Sequence, residues 1–246
     1  MSDLIVSSYN IHKAVGTDMR RDPTRTVQVI QEIGADIVAL QEVDRRFGDR
    51  RGVLDPEMLH SVTGLVPVAL TDRLGARAHG WHGNLLMLHG GAEVEEARAV
   101  TLPGLEPRGA IVADIRINGQ PLRVITAHLG LLHQSRVLQA RFLSKVIEEG
   151  DGRPTLVMGD FNEWRLGAGC SLMPLRRELR AVKRSAQTIA SFPAQMPVLP
   201  LDRIIGCRRA EIGDLRIHDS ILARKASDHL PIRAALNLPR VQSAVM

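Results

Sequence analysis

Aromatic side chains make up only 3% of this chain of 246 residues. That scarcity excludes an extended single-strand nucleic-acid platform, in which successive bases stack on successive rings, but leaves room for a compact phosphate site. Cysteine is equally rare. Cys170 and Cys207 are too few for a disulfide framework and lack the CxxC spacing of a zinc site, so they read as ordinary thiols. No apolar run reaches the roughly 18 residues of a membrane-spanning helix, and the opening, Met1 to Lys13, has neither the basic start nor the long apolar stretch of a signal peptide. The expectation is a soluble cytoplasmic protein. Lysine is also sparse: of 32 basic residues, only Lys13, Lys145, Lys183 and Lys225 are lysines. The net charge of +5 therefore rests on arginine, either because a planar guanidinium fork suits phosphate or because base composition enriches it.

What is present describes a globular chain. With 44% hydrophobic and 24% charged residues, disorder and low-complexity architecture are excluded. Leu4 to Tyr9 reads as a strand ending at Asn10. Asp22-Pro23-Thr24 opens a helix that runs to Gly34, and Ile37 to Leu40 reads as a buried strand delivering Gln41 and Glu42. Between Leu65 and Ile125 short β-like runs follow one another, with Asn118-Gly119 as a hairpin signal, which suggests antiparallel sheet. Ser135 to Glu149 reads as an amphipathic helix placing Leu138, Phe142, Val146 and Ile147 against a sheet. Thr155 to Met158 reads as another buried strand, followed by weaker ones near Arg203 to Ile205, Ala210 to Ile217 and Ile232 to Leu236. No repeat or composition break divides residues 1–246, so one domain is expected. Its class is α/β, two packed mixed β-sheets flanked by helices.

Polar side chains recur at or just after the predicted strand ends: Asn10, Glu42, Asn84, His128, Asp160, Asn162, Asp202, Asp228 and His229. Each alone reads as a cap or a turn. Together they supply the carboxylate and amide oxygens that a hard divalent cation needs. No HxxxH spacing proposes zinc, and His79 and His82, three apart in a glycine-flanked loop, read as incidental.

These residues sit in seven segments: Ser8-Tyr9-Asn10, Leu40-Gln41-Glu42-Val43, His82-Gly83-Asn84, Thr126-Ala127-His128-Leu129, Gly159-Asp160-Phe161-Asn162, Leu201-Asp202-Arg203-Ile204 and Ser227-Asp228-His229-Leu230-Pro231. In content and order they resemble the endonuclease/exonuclease/phosphatase superfamily, whose DNase I-like fold is a four-layer α/β/β/α sandwich. The resemblance implies a metal-dependent hydrolase of phosphodiester or phosphomonoester bonds. Glu42 would be the principal ligand of Mg2+, with Mn2+ as a substitute, and Asn10 and Asp228 would complete the cluster directly or through water. Asp160, beside Asn162, or the His229 and Asp202 pair would activate water, and His128 would bind phosphate or protonate the leaving group. Asn84 would support the phosphate pocket.

Substrate contacts are less defined. Trp81 and Trp164 are the rings best placed to touch substrate, whereas Tyr9 and Phe161 read equally as packing. Arg108, in Glu106-Pro107-Arg108-Gly109-Ala110, either clamps phosphate or pairs with Glu106. That segment and Ser191-Phe192-Pro193-Ala194 are similar to a small bacterial branch of the superfamily. Three readings follow: a phosphodiesterase or phosphatase of small or lipid-derived esters, a DNA or RNA nuclease, and a catalytically silent binding protein of the same fold. No partner protein is called for.

Overall fold

The computed structural model describes residues 4–45, 48–72, 74–75, 77–179 and 188–238. In chain order its elements are β1 (Leu4–Asn10), α1 (Pro23–Ile33), β2 (Ile37–Gln41), α2 (Pro56–Thr63), β3 (Leu65–Pro67), β4 (Leu85–His89), β5 (Ala92–Leu102), β6 (Arg108–Ile117) and β7 (Gln120–His128). They continue with α3 (His133–Glu148), β8 (Thr155–Asp160), α4 (Met173–Glu178), β9 (Asp202–Gly206), β10 (Glu211–Ile217), α5 (Ile221–Ala226) and β11 (Ile232–Asn237). Six strands form one mixed sheet in the order β10-β11-β1-β2-β4-β3, and five form the other, β5-β6-β7-β8-β9.

The sheets face each other across an apolar core that includes Val6, Ile37, Leu122, Val124, Leu156, Met158, Ile204 and Ile232. Against the outer face of the first sheet pack α1, α2 and α5, through Val27, Ile30, Leu59 and Ala223. Against the second pack α3 and α4, through Ala140, Leu143 and Leu175. The result is the expected four-layer sandwich. α1 starts and stops as its residues dictate: the Asp22 side chain accepts a hydrogen bond from the Arg25 N–H, Pro23 sits in the first turn, and Gly34 closes the helix at φ 59.

Strand periodicity places the site. Side chains alternate between faces, so residues two apart share one. Following the inward face of β1 from Val6 leads to Ser8 and Asn10. On β7 it leads from Leu122 and Val124 to Thr126 and His128, on β8 from Leu156 and Met158 to Asp160, and on β9 from Ile204 back to Asp202. The apolar layer between the sheets thus turns polar at one end.

One expected face is corrected. α3 buries Ser135, Arg136, Gln139, Ala140, Leu143 and Val146, while Leu138 and Phe142 point to solvent. The first turns of this helix hold a loop instead of filling a core: Gln139 Oε1 accepts from the Gly130 N–H at 2.8 Å, and Arg136 donates to the carbonyls of Gly130 and Leu131. Hydrogen bonding took the inward positions of the first turns, so apolar periodicity misplaced Leu138 and Phe142, whereas Val146 is buried and Ile147 packs against the outer core as expected. The short helices α2, α4 and α5 and the long edge strand β5 also add to the sequence reading. β5 is largely exposed and charged, which removes the alternation that marks a strand.

Candidate active site

Register brings the central residues together. His128 ends β7 directly beside Asp160 on the parallel strand β8, and Asp160 lies opposite Asp202 on the antiparallel strand β9. His229, from the loop before β11, inserts over this row. Its Nδ1 is 2.9 Å from Asp202 Oδ2, and its Nε2 is 3.8 Å from Asp160 Oδ2. His128 Nε2 approaches the same Asp160 oxygen at 3.4 Å. Asn10 Nδ2 donates to Asp160 Oδ2 at 3.0 Å, and the Asn162 N–H donates to Asp160 Oδ1 at 3.0 Å. Asp160 is therefore the hub of the site.

Tight backbone approach makes this possible. A Cβ on Gly159 would lie 1.9 Å from the Ala127 carbonyl oxygen, and its φ of +153 lies outside the range side chains favour. Loops at this end also carry non-glycine residues in the left-handed region, among them Lys13 (φ 57), Glu42 (φ 58), Arg50 (φ 50), His82 (φ 48) and Asn162 (φ 49). Such strain persists only where the surroundings over-determine it, and it gathers at functional sites.

The His229 loop is clamped from two sides. Ser227 Oγ donates to the Asn10 carbonyl at 2.7 Å and accepts from the His229 N–H at 3.2 Å. Ser191 Oγ donates to Asp202 Oδ2 at 2.5 Å, while the Phe192 ring lies 4.9 Å from that of His229. The Ser191-Phe192-Pro193-Ala194 segment, which carried no role in the sequence, thus positions the His229 and Asp202 pair.

Charge is distributed unevenly. Burial lowers the His229 imidazole, but Asp202 and Asp160 outweigh it and lift the group to about 10. Burial dominates at His128 and holds it at about 4 despite Asp160. Burial also pushes Asp160 up, yet the His128 and His229 imidazoles and its amide donors hold it below the usual carboxylate range. Near neutrality the site is a carboxylate between a neutral and a cationic imidazole.

Beside this row opens a cleft of about 420 Å³ lined by Lys13, Glu42, Asp44, Arg50, His82, Gly83, Pro107, Arg108 and His128. Burial raises Glu42, but His128, Lys13 and His12 outweigh it and keep the carboxyl below its ordinary value. Lys13 Nζ donates to Glu42. Asp228 is half-exposed, with His12 Nδ1 3.7 Å from its Oδ1. Arg108 donates to Glu106 at 2.9 Å, the pairing that was one of its two readings, and also lines the cleft. The ligand atoms of Asp160, Asp202 and His229 lie within 4.8 Å of one another, a spacing that could hold a metal ion.

The remaining expected residues lie further out. Asn84 is fully buried, and its Nδ2 donates to the carbonyls of Trp81 and Gly109, tying the Trp81 loop to the start of β6. Trp81 spends its Nε1 on the Val100 carbonyl and packs against the core between the sheets. Trp164 is solvent-exposed and is not part of the cleft lining. Tyr9 and Phe161 are core residues. Sequence reasoning passed over Lys13, Asp44 and Arg50 and treated His82 as incidental. The signal for Lys13 was a rare lysine three positions after Asn10; Asp44 and Arg50 pair with each other at 3.2 Å and left no such mark.

Known proteins share this fold. The uncharacterized protein YbhP of Escherichia coli (strain K12) is 31% identical over 256 residues, covering 95% of this chain and 96% of its own. The crystal structure of an endonuclease/exonuclease/phosphatase from Beutenbergia cavernae DSM 12333 superposes with a TM-score of 0.70 at 22% identity, covering 97% of this chain and 72% of that one. The mannosyl-6-phosphatase Bt3783 of Bacteroides thetaiotaomicron VPI-5482 gives 0.70 at 16% identity, covering 96% of this chain and 100% of that one. The sequence profile of the Endonuclease/Exonuclease/phosphatase family matches residues 7–229, which span every loop of the site. The chain belongs to the endonuclease/exonuclease/phosphatase family.

Proposed function

We propose that this protein is a Mg2+-dependent hydrolase of phosphodiester or phosphomonoester bonds in small or lipid-derived substrates. The observation that carries the reading is the His128, Asp160 and Asp202 row with His229 inserted above it. Hydrolysis needs an oriented water, neutralisation of phosphoryl charge and relief of charge on the departing oxygen. Asp160, kept ionised and fixed by Asn10 and Asn162, accepts the proton of the attacking water. His229, held cationic by Asp202, donates to a phosphoryl oxygen, and in that charge state it cannot serve as the base. Neutral His128 donates toward the phosphate or the leaving oxygen, and Arg108 presents its guanidinium from the cleft wall.

The residues present fit a hard divalent ion. Glu42 already draws a cation, the Lys13 ammonium, into the cleft, and Glu42, Asn10 and Asp228 offer oxygen donors throughout. These three would hold Mg2+, with Mn2+ as a substitute, whereas His229 Nδ1 is engaged by Asp202. When bound, the ion neutralises charge on the phosphoryl oxygens. Asp44 and Arg50 would shape the far wall against the substrate's remaining group.

The test is turnover on bis-p-nitrophenyl phosphate with Mg2+, before and after chelation, for the native chain, Asp160→Asn and Glu42→Ala. Loss of a general base costs about 10²–10⁴ in rate. Undiminished activity in both variants would overturn the assignment. The basic composition favours a DNA or RNA nuclease as the second reading, which predicts binding that falls steeply with salt.

A further inference from the structure

Three loops beside the cleft carry apolar side chains into solvent. The connection from β5 to β6 presents Leu105, 86% exposed, and the segment after β7 presents Leu131, 64% exposed, with Leu132 beside it. The segment after β8 presents Trp164 and Leu166, 50% and 64% exposed. The loops adjoin one another. The Leu131 N–H donates to Glu106 Oε1 at 2.7 Å, and Gly104 and Gly130 both lie against Ser135 and Gln139 of α3. Asn162 Nδ2 donates to the Leu129 carbonyl, and Arg165 Nη1 lies 3.3 Å from His133 Nδ1. Single exposed leucines need no explanation, but a set on adjoining loops at the mouth of a site does.

The charge on this lip has one sign. The Arg165 guanidinium stacks over the Trp164 ring, 4.8 Å from its centre. The neighbouring acids are consumed: Glu106 binds Arg108 and the Leu131 N–H, and Glu163 is buried on Ser171. Leucines beside a tryptophan and the Arg165 guanidinium match the layering of an anionic bilayer, where apolar groups enter the acyl boundary, an indole rests at headgroup depth and guanidinium meets phosphate. Arg108 joins the lip to the cleft, because it lines the one and pairs with Glu106 of the other.

We propose that these loops form a docking lip that seats the protein on an anionic phospholipid surface with its cleft toward the headgroups. Docking requires no turnover. Its consequence, that the ester served is a lipid phosphoester, rests on the phosphoesterase reading above.

The experiment is co-sedimentation of the full chain with vesicles of phosphatidylcholine and phosphatidylglycerol, against phosphatidylcholine alone, with tryptophan emission recorded in parallel. The native chain should bind the anionic vesicles and its emission should shift to the blue, a shift that Trp164→Ala abolishes. Leu105→Ser, Leu131→Ser and Leu166→Ser combined should lower partitioning about tenfold or more while leaving hydrolysis of soluble bis-p-nitrophenyl phosphate unchanged. Absence of vesicle binding by the native chain, or full binding by the triple variant, overturns the proposal. So does a self-associated species that the triple variant dissolves, or an oligonucleotide that quenches Trp164 where vesicles do not. Vesicle binding without turnover of the soluble ester would remove the enzymatic reading and leave docking standing; turnover without vesicle binding would do the reverse.

Discussion

Asp160 and Asp202 lie directly opposite each other across the β8–β9 ladder, and the His229 imidazole bridges them, 3.8 Å from one carboxylate and 2.9 Å from the other. Two like charges paired across a ladder repel. The inserted cation resolves that repulsion, which is why His229 holds its proton to about 10.

Replacing Asp202 by Asn should therefore lower the His229 pKa. A histidine whose folded pKa is raised contributes stability that is fully present below its unfolded pKa, near 6.5, and is lost as pH rises through about 10. In Asp202→Asn the alkaline loss should be smaller and complete at lower pH, because its upper limit follows the folded pKa of His229. Imidazole titration by NMR with melting temperature against pH reads both effects, and an unchanged His229 titration would contradict the bridging role.

On the acid side two other histidines contribute. Burial lowers both His82 and His128 to about 4, so above the unfolded value near 6.5 they favour the folded state, and that contribution is lost as pH falls through about 4. Melting temperatures of His82→Gln and His128→Gln should fall less steeply between those limits than those of the native chain. Parallel curves would show that neither group controls acid stability.

Lys13 occupies the carboxylate that would hold the metal. Lys13→Met should tighten Mg2+ or Mn2+ binding roughly fivefold, the equivalent of about 1 kcal/mol for a partly exposed ion pair. Calorimetric titration reads this directly; weaker metal binding in the variant would mean that Lys13 organises Glu42 instead of competing for it.

Gly159→Ala should destabilise the fold by about 2 kcal/mol or more, since the added methyl meets the Ala127 carbonyl and the backbone there is strained for any side chain. Urea unfolding measures it, and a midpoint equal to that of the native chain would mean that β7 and β8 can separate without cost.

Much of this site was legible before any coordinates. The strand ends carrying Asn10, Glu42, His128 and Asp160 are marked by apolar runs that stop at a polar residue, and that pattern is local. The short-lived signals failed where neighbours decide. Leu138 and Phe142 follow helical periodicity yet face solvent, because Gln139 and Arg136 are needed inward to hold the Gly130 loop.

The sequence by itself determined the α/β composition of the layers and the identity of the polar residues at the strand ends, because alternation and helix capping are written in adjacent positions. Tertiary structure alone decided that His229 slots between Asp160 and Asp202, that Ser191 and Phe192 clamp it, and that Lys13 reaches Glu42. Those contacts join segments far apart in the chain, and ladder register and loop closure, which no local pattern encodes, bring them within hydrogen-bond reach.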